Sequence, residues 1–271
     1  MKRTLLSLLL LAPAALLTAQ TTGGISAGML EQIKKAQPQD AGQQALRNAV
    51  TGASLQSLAM PMSARSAGDT HFSHRVRTKG ITDQQQSGRC WLFTGLNVMR
   101  SRMITKYNLG AFEFSQSYCF FYDQLEKSNL FLQSAIDLAK LPMDDKKVDW
   151  LFHNPLSDGG TFCGVQDVVT KYGLVPAEVM PETFSANNTG QMSTLIATKL
   201  REYGLELRAM VANGAKAKAL NDRKTQMLGT VYHMLSLCLG EPPVSFTWTR
   251  KDAQGNPVDT REYTPLSFYQ T

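Results

Sequence analysis

Gln84 and Cys90 stand six residues apart in the string ITDQQQSGRCWLF, residues 81–93. A polar, glycine-containing loop (83–89) runs straight into Cys90, and apolar residues follow at once: Trp91, Leu92, Phe93, then Leu96, Val98 and Met99. That order reads as a loop feeding the first turn of a buried helix. Free backbone N–H groups and the helix dipole at such a junction favour a thiolate. Arg89 beside it is expected to add positive charge. If the loop folds back, the Gln84 NH2 can reach an oxygen held over the sulfur. An activated thiolate with an amide donor is half of a cysteine acyl-transfer site. The competing reading is packing, because free cysteine is among the most buried residue types and commonly fills a core.

The elements that must position these groups follow from the pattern. Residues 91–107 read as the helix behind Cys90, with Leu92, Leu96, Met99 and Met103 on one face. Ser115 or Ser117 can cap a second helix whose face is Phe120, Phe121, Leu125 and Leu130. Asp158-Gly159-Gly160 forms a further candidate, since two glycines let another backbone approach closely, as when an extended peptide pairs with an exposed edge. Residues 161–172 read as a helix stopped by Gly173.

The string SGRCW within TDQQQSGRCWLF, together with the aromatic stretch that follows it, resembles the bleomycin hydrolase/aminopeptidase C family of papain-like cysteine peptidases. The order DGG, helix, KYGLVP and a short strand resembles the substrate-cleft glycines of papain-like enzymes. The resemblance implies an α+β, papain-like fold, mostly its helical half, with an inserted helical pair and a β-hairpin and an incomplete β-rich half. It implies Cys90 as nucleophile and Gln84 with the Cys90 N–H as oxyanion donors. The backbone of Gly160, with Gly159 beside it, is expected to hold the substrate chain. No cofactor is implied. Peptides are the expected substrates, and a homo-oligomer (a hexamer in the family) is expected for the full-length protein. The papain branch usually has a cysteine three before the nucleophile; Ser87 stands there, so a disulfide at that place is excluded.

Residues 1–19 read as a signal peptide. Lys2 and Arg3 precede an apolar run over residues 5–17, and Thr18-Ala19 offers a cleavage point. The run is short for a membrane span, leaving an uncleaved anchor as the alternative. An exported, periplasmic or secreted protein is therefore expected, with no membrane attachment after processing. Removing Lys2 and Arg3 takes the formal charge from +6 to +4, without a basic block, which does not argue for nucleic acid. The four cysteines are widely spaced with no C-x-x-C pair. Two disulfides are formally possible, but Cys119 and Cys238 read as core, and the paired spacing of a zinc site is lacking.

The expected organisation is a signal peptide (1–19), an N-terminal helical segment and loop (20–80), the papain-like helical half (81–190), an inserted helical pair (191–243), and a β-hairpin opening the second half (244–271). Residues 26–58 read as a helical stretch broken around Pro38, and 59–80 and 141–157 as loops. The inserted helices are expected to bury Leu195, Ile196, Leu200, Tyr203, Leu207 and Met210, and the second to stop at Gly240. His71, His74 and His233 read as ordinary loop or helix-face histidines. His153-Asn154 pairs the right residue types for a relay, but adjacent side chains cannot easily arrange one. The resemblance places the base His and its orienting Asn beyond Thr271. The 271 residues alone are thus expected to show little or no peptidase activity, the alternative being a truncated relic or peptide-binding module.

Overall fold

A computed structural model describes residues 23–66, 68–76 and 78–271. The signal segment expected over 1–19 lies outside the described residues. The chain divides between Ser73 and His74 into two compact units. In the first, helices α1 (Ala27–Lys35), α2 (Ala41–Gly52), α3 (Leu55–Ala59) and α4 (Met62–Ser66) follow one another. Ser26, Asp40 and Ser54 cap the first three by accepting N–H groups of the first turn. The apolar stripe expected there exists, yet Met29, Ile33, Leu46 and Val50 are exposed. Helix α4 falls in a stretch expected to be loop.

The second unit holds the core. Helix α5 (Cys90–Tyr107) buries Trp91, Leu92, Phe93 and Leu96 within its first two turns. Asn108, in the left-handed region at φ 46°, ends it and returns its N–H to Ile104. Helix α6 (Gln116–Asp137) is capped by Ser115, whose side chain accepts the Tyr118 N–H. It packs against α5, α7, α8, α10 and α11, so its buried residues form no single stripe. Tyr118, Cys119, Phe120 and Phe121 are consecutive and all buried. The expected face is corrected on one point: Leu130 is exposed and Phe131 and Leu132 are buried in its place.

The stretch 141–157 is not merely a loop. Asp145 caps α7 (Lys146–His153), which seats Val148 and Leu151 in the core. Helix α8 (Phe162–Tyr172) ends at Gly173, at φ 84°. A one-turn α9 (Phe184–Asn187) leads into α10 (Thr189–Ala212), and α11 (Ala217–Leu239) returns antiparallel and stops at Gly240. Ile196, Leu200, Tyr203 and Leu207 are buried as expected. Leu195 is exposed, and Met192 takes the core position one turn earlier.

Strands β1 (Phe246–Lys251) and β2 (Pro257–Tyr263) form an antiparallel hairpin with a register shift at Arg250/Lys251. Thr264 and Ser267 then close a capping box on α12 (Pro265–Tyr269). Phe246, Trp248 and Phe268 pack edge to face there with Phe112 and Phe114. No helix among the described residues is long and apolar enough to cross a membrane.

Candidate active site

Cys90 is the first residue of α5, and its side chain is exposed. No side chain caps this helix start and no acidic residue lies in its first turn. The Leu92 and Phe93 N–H groups bond the Arg89 carbonyl at 2.9 and 3.0 Å, so the first two N–H groups of the helix, those of Cys90 and Trp91, carry the positive end of the dipole toward the sulfur.

The loop before Cys90 is folded back on itself. The Gln84 NH2 donates to the Ser87 carbonyl, and the Ser87 hydroxyl donates to the Gln84 carbonyl at 2.6 Å. Gln85 takes a left-handed conformation at φ 53°, held by its N–H on Asp83 at 2.8 Å. An amide nitrogen carries two hydrogens, so Gln84 keeps one to donate elsewhere. Ser87, three before the nucleophile, is a hinge of this turn, since its hydroxyl oxygen also accepts from the Arg89 Nε at 3.0 Å.

Arg89 corrects one expectation. It does not lend its charge to the thiol. Its side chain is fully buried and forms a two-pronged pair with Glu182, 3.1 Å from Nη1 and 2.7 Å from Nη2. Ser117 donates to the same carboxylate at 2.8 Å, and the guanidinium lies over the rings of Phe93 and Phe120. A planar fork suits such a site better than an ammonium. Arg89 thus anchors the loop to α6 and to the segment before α9, and its charge is met internally.

Gly159 and Gly160 lie beside this junction. The Trp91 indole N–H donates to the Asp158 carbonyl at 2.9 Å, and Lys127 donates to the carbonyls of Ser157 at 3.0 Å and Gly159 at 2.6 Å. Lys127 also pairs with Asp123 at 2.7 Å and sits 5.3 Å from the Trp91 ring centroid. A Cβ on Gly160 would fall 2.6 Å from Cε2 of Trp91. The glycine is therefore needed for close approach to a rigid ring. Gly160→Ala is expected to destabilise the fold by roughly 1–3 kcal/mol, which a thermal melt checks.

Other signals resolve differently. His153 and Asn154 do not form a relay: the His153 ring contacts the Asp149 carbonyl at 2.9 Å and its carboxylate at 3.2 Å, while the Asn154 amide bonds the Trp150 carbonyl. His233 is exposed on α11. Cys119 is fully buried, and burial, helped by the charge on Asp123, pushes its thiol well above the usual range. Cys238 is only half-buried at the edge of the core, and Cys163 is exposed; all four cysteines are free. Among the described residues, no group of three or more His, Cys, Asp or Glu is placed to hold a metal ion.

The groups that hold the loop from outside it left no signal in the sequence. The Gln86 N–H donates to the Asn187 carbonyl at 3.0 Å, and the Thr189 N–H to the Gln86 carbonyl at 3.4 Å. The start of α10 thus pairs with the loop like a fragment of sheet. Asp158 also reaches it, bonding the Gly88 N–H at 2.7 Å.

A cysteine opening a buried helix, a tight amide-bearing loop before it and a glycine pair against the following tryptophan lie on the helical half of a papain-like cysteine peptidase fold. The chain belongs to the Peptidase C1-like family, whose pattern it matches over residues 24–271. It is similar to aminopeptidase C of Lactobacillus delbrueckii subsp. lactis, 41% identical over 202 residues, 74% of this chain and 45% of that protein. Human bleomycin hydrolase is 38% identical over 203 residues, 73% of this chain and 45% of its own length. The crystal structure of PepW from Lactobacillus rhamnosis HN001 superposes with a TM-score of 0.85 at 34% identity, covering 93% of this chain and 56% of that one. The chain spans about half the length of the curated relatives it matches.

Proposed function

We propose that the protein is a cysteine-type aminopeptidase acting on peptides through a thioester at Cys90. The observation that carries this reading is an exposed thiol at the start of α5, which no side chain caps, directly after a folded-back loop that holds the Gln84 amide. The names of the relatives, aminopeptidase C and bleomycin hydrolase, support the reaction class.

The Cys90 Sγ attacks the scissile carbonyl carbon while a general base takes the thiol proton. The oxyanion is held by the free Gln84 N–H and the Cys90 backbone N–H. Collapse breaks the C–N bond, the base returns its proton to the departing amine, and a thioester remains. Water, deprotonated by the same base, then releases the acid and restores the thiol. The backbone of Gly160 holds the substrate strand beside the sulfur. The base and its orienting group are expected in the part of the relatives' length that this chain does not span. Taken alone, the 271 residues are expected to bind peptides at the exposed glycine edge and to turn them over slowly or not at all. The intact mass of the protein from its own source separates these: a mass near that of the relatives supports the enzyme, and one ending at Thr271 supports the binding module.

In the enzyme from its source, Gln84→Ala is expected to lower kcat about 10²–10³-fold with little change in KM, since the amide bonds the oxyanion more strongly than the ground-state carbonyl. No loss, or a rise in KM with kcat unchanged, counts against the oxyanion role. Selectivity for a free N-terminus separately tests the aminopeptidase assignment.

Export is part of the proposal, supported by the charged and apolar pattern of residues 2–19. N-terminal sequencing of the secreted or periplasmic protein is expected to begin at Gln20; a cytoplasmic protein beginning at Met1 refutes it. Assembly into a hexamer, which the family resemblance implies, is read by sedimentation mass.

A further inference from the structure

We infer that Asp158 is a positioning residue for the chemistry at Cys90, clasping the nucleophile loop, the glycine pair and the start of α10 together through one carboxylate. The inference rests on the cysteine-peptidase reading above and adds a residue that acts through the loop rather than on the substrate.

Oδ2 of Asp158 accepts two hydrogen bonds, from the Gly88 N–H at 2.7 Å and from the Thr189 hydroxyl at 2.6 Å. Its backbone carbonyl accepts a third, from the Trp91 indole at 2.9 Å. Gly88 is two residues before the nucleophile and Trp91 one residue after it. Asp158 therefore holds Cys90 from both sides. It also directly precedes Gly159 and Gly160, so the same residue fixes how far the substrate-holding backbone stands from the Gln84 and Cys90 donors. Thr189, 3% exposed, cannot swing away to water.

The sequence around the clasp is shaped to admit it. A Cβ on Gly88 would lie 2.4 Å from Oδ1 of Asp158, so residue 88 must be glycine for the carboxylate to reach the backbone. Ser87 precludes a disulfide from tying the loop at that place, which leaves the tie to hydrogen bonds. The charged groups nearby are on α6, where Lys127 favours the carboxylate and Asp123, itself paired with Lys127, opposes it. Burial pushes the Asp158 carboxyl up, but the bonds from Thr189, from Gly88 and from its own backbone outweigh it and hold it below the ordinary 3.8. A carboxyl lowered on folding contributes stability that is full above its unfolded value and is lost as pH falls through the folded one. The clasp is therefore closed at neutral pH.

Three variants in the enzyme from its source test this: Asp158→Ala, Asp158→Asn and Thr189→Val. The readouts are kcat/KM on a peptide, the iodoacetamide rate at Cys90 and the melting temperature. Asp158→Ala is expected to lower kcat/KM about 100-fold, the scale of a 1 Å misplacement, and to change the alkylation rate at Cys90. Asp158→Asn, whose amide oxygen can still accept both bonds, is expected to retain at least a tenth of the activity. Thr189→Val, which removes one bond, is expected to lose several-fold; it carries the test if Asp158→Ala does not fold. Folded Asp158→Ala or Thr189→Val with wild-type kcat/KM and alkylation rate overturns the clasp, as does Asp158→Asn as inactive as the alanine variant. Cys90→Ala run alongside separates the two levels. If it is inactive while the Asp158 variants are normal, the clasp alone fails; if it retains turnover, the peptidase reading fails and the clasp with it.

Discussion

Cys90→Ala in the enzyme from its source is expected to abolish peptide hydrolysis, lowering kcat by at least about 10⁴-fold, without disturbing the fold. On the proposed mechanism Cys90 forms the covalent bond that splits a difficult step in two, and the other cysteines are poorly placed to replace it. The buried thiol of Cys119 lies inside α6 and is held protonated by desolvation. Cys163 is exposed but is the second residue of α8, outside the loop that carries Gln84. Loss of one exposed sulfur touches no core contact, so the melting temperature is expected to move by no more than surface substitutions do, about 0.5 kcal/mol in stability. Cys163→Ala is expected to retain full activity. Peptide turnover measured for both variants, with melts, distinguishes a nucleophile from a packing residue, the alternative that a cysteine before an apolar run always leaves open.

The second large effect is on stability. Arg89→Met is expected to destabilise the fold by about 3 kcal/mol, the lower end of the range for breaking a buried pair, because Glu182 keeps 27% of its side chain exposed. For a unit of this size that corresponds to a fall of roughly 6–12 °C in melting temperature. Methionine fills much of the volume, so the loss isolates the two-pronged pair and the bond to Ser87 rather than a cavity. The paired variant Arg89→Met/Glu182→Met is expected to recover much of the loss, since it removes the stranded carboxylate along with the cation. A single variant as stable as the wild type, or a double variant no better than the single, contradicts this account of the loop anchor. Activity is expected to fall with the single variant, as Arg89 is the N-cap residue directly before Cys90.

Local features were the legible part of this chain. The helix behind Cys90, the Ser115 cap and the stops at Gly173 and Gly240 all rest on neighbours within four residues, and all stand where the spacing puts them. The family resemblance was legible for a similar reason, because the nucleophile loop is a continuous string. Helix α7 was hidden by a polar stretch in which Val148, Leu151 and Phe152 carry the packing. The mistaken faces at Leu130 and Leu195 have a different cause: α6 packs against five helices and α10 against three, so a one-sided stripe is the wrong template. Least legible were the tertiary ties of the site. Asp158 to Gly88 spans 70 residues and Arg89 to Glu182 spans 93, and no spacing rule links them. Arg89 read as a charge beside the thiol; only the position of Glu182 shows that the charge is already matched.

Labelling with a substrate-like electrophile tests the central assignment most directly. The enzyme from its source is treated with a stoichiometric aminoacyl chloromethyl ketone, and the adduct is located by peptide mapping against time. Cys90 and Cys163 are both exposed, so accessibility alone does not choose between them. The account predicts that the adduct forms on Cys90 at least about tenfold faster than on Cys163, and that Gly160→Ala removes the preference by misplacing the strand that orients the reagent. Equal labelling of the two cysteines, or adduct on Cys163 first with activity lost in step, would contradict it.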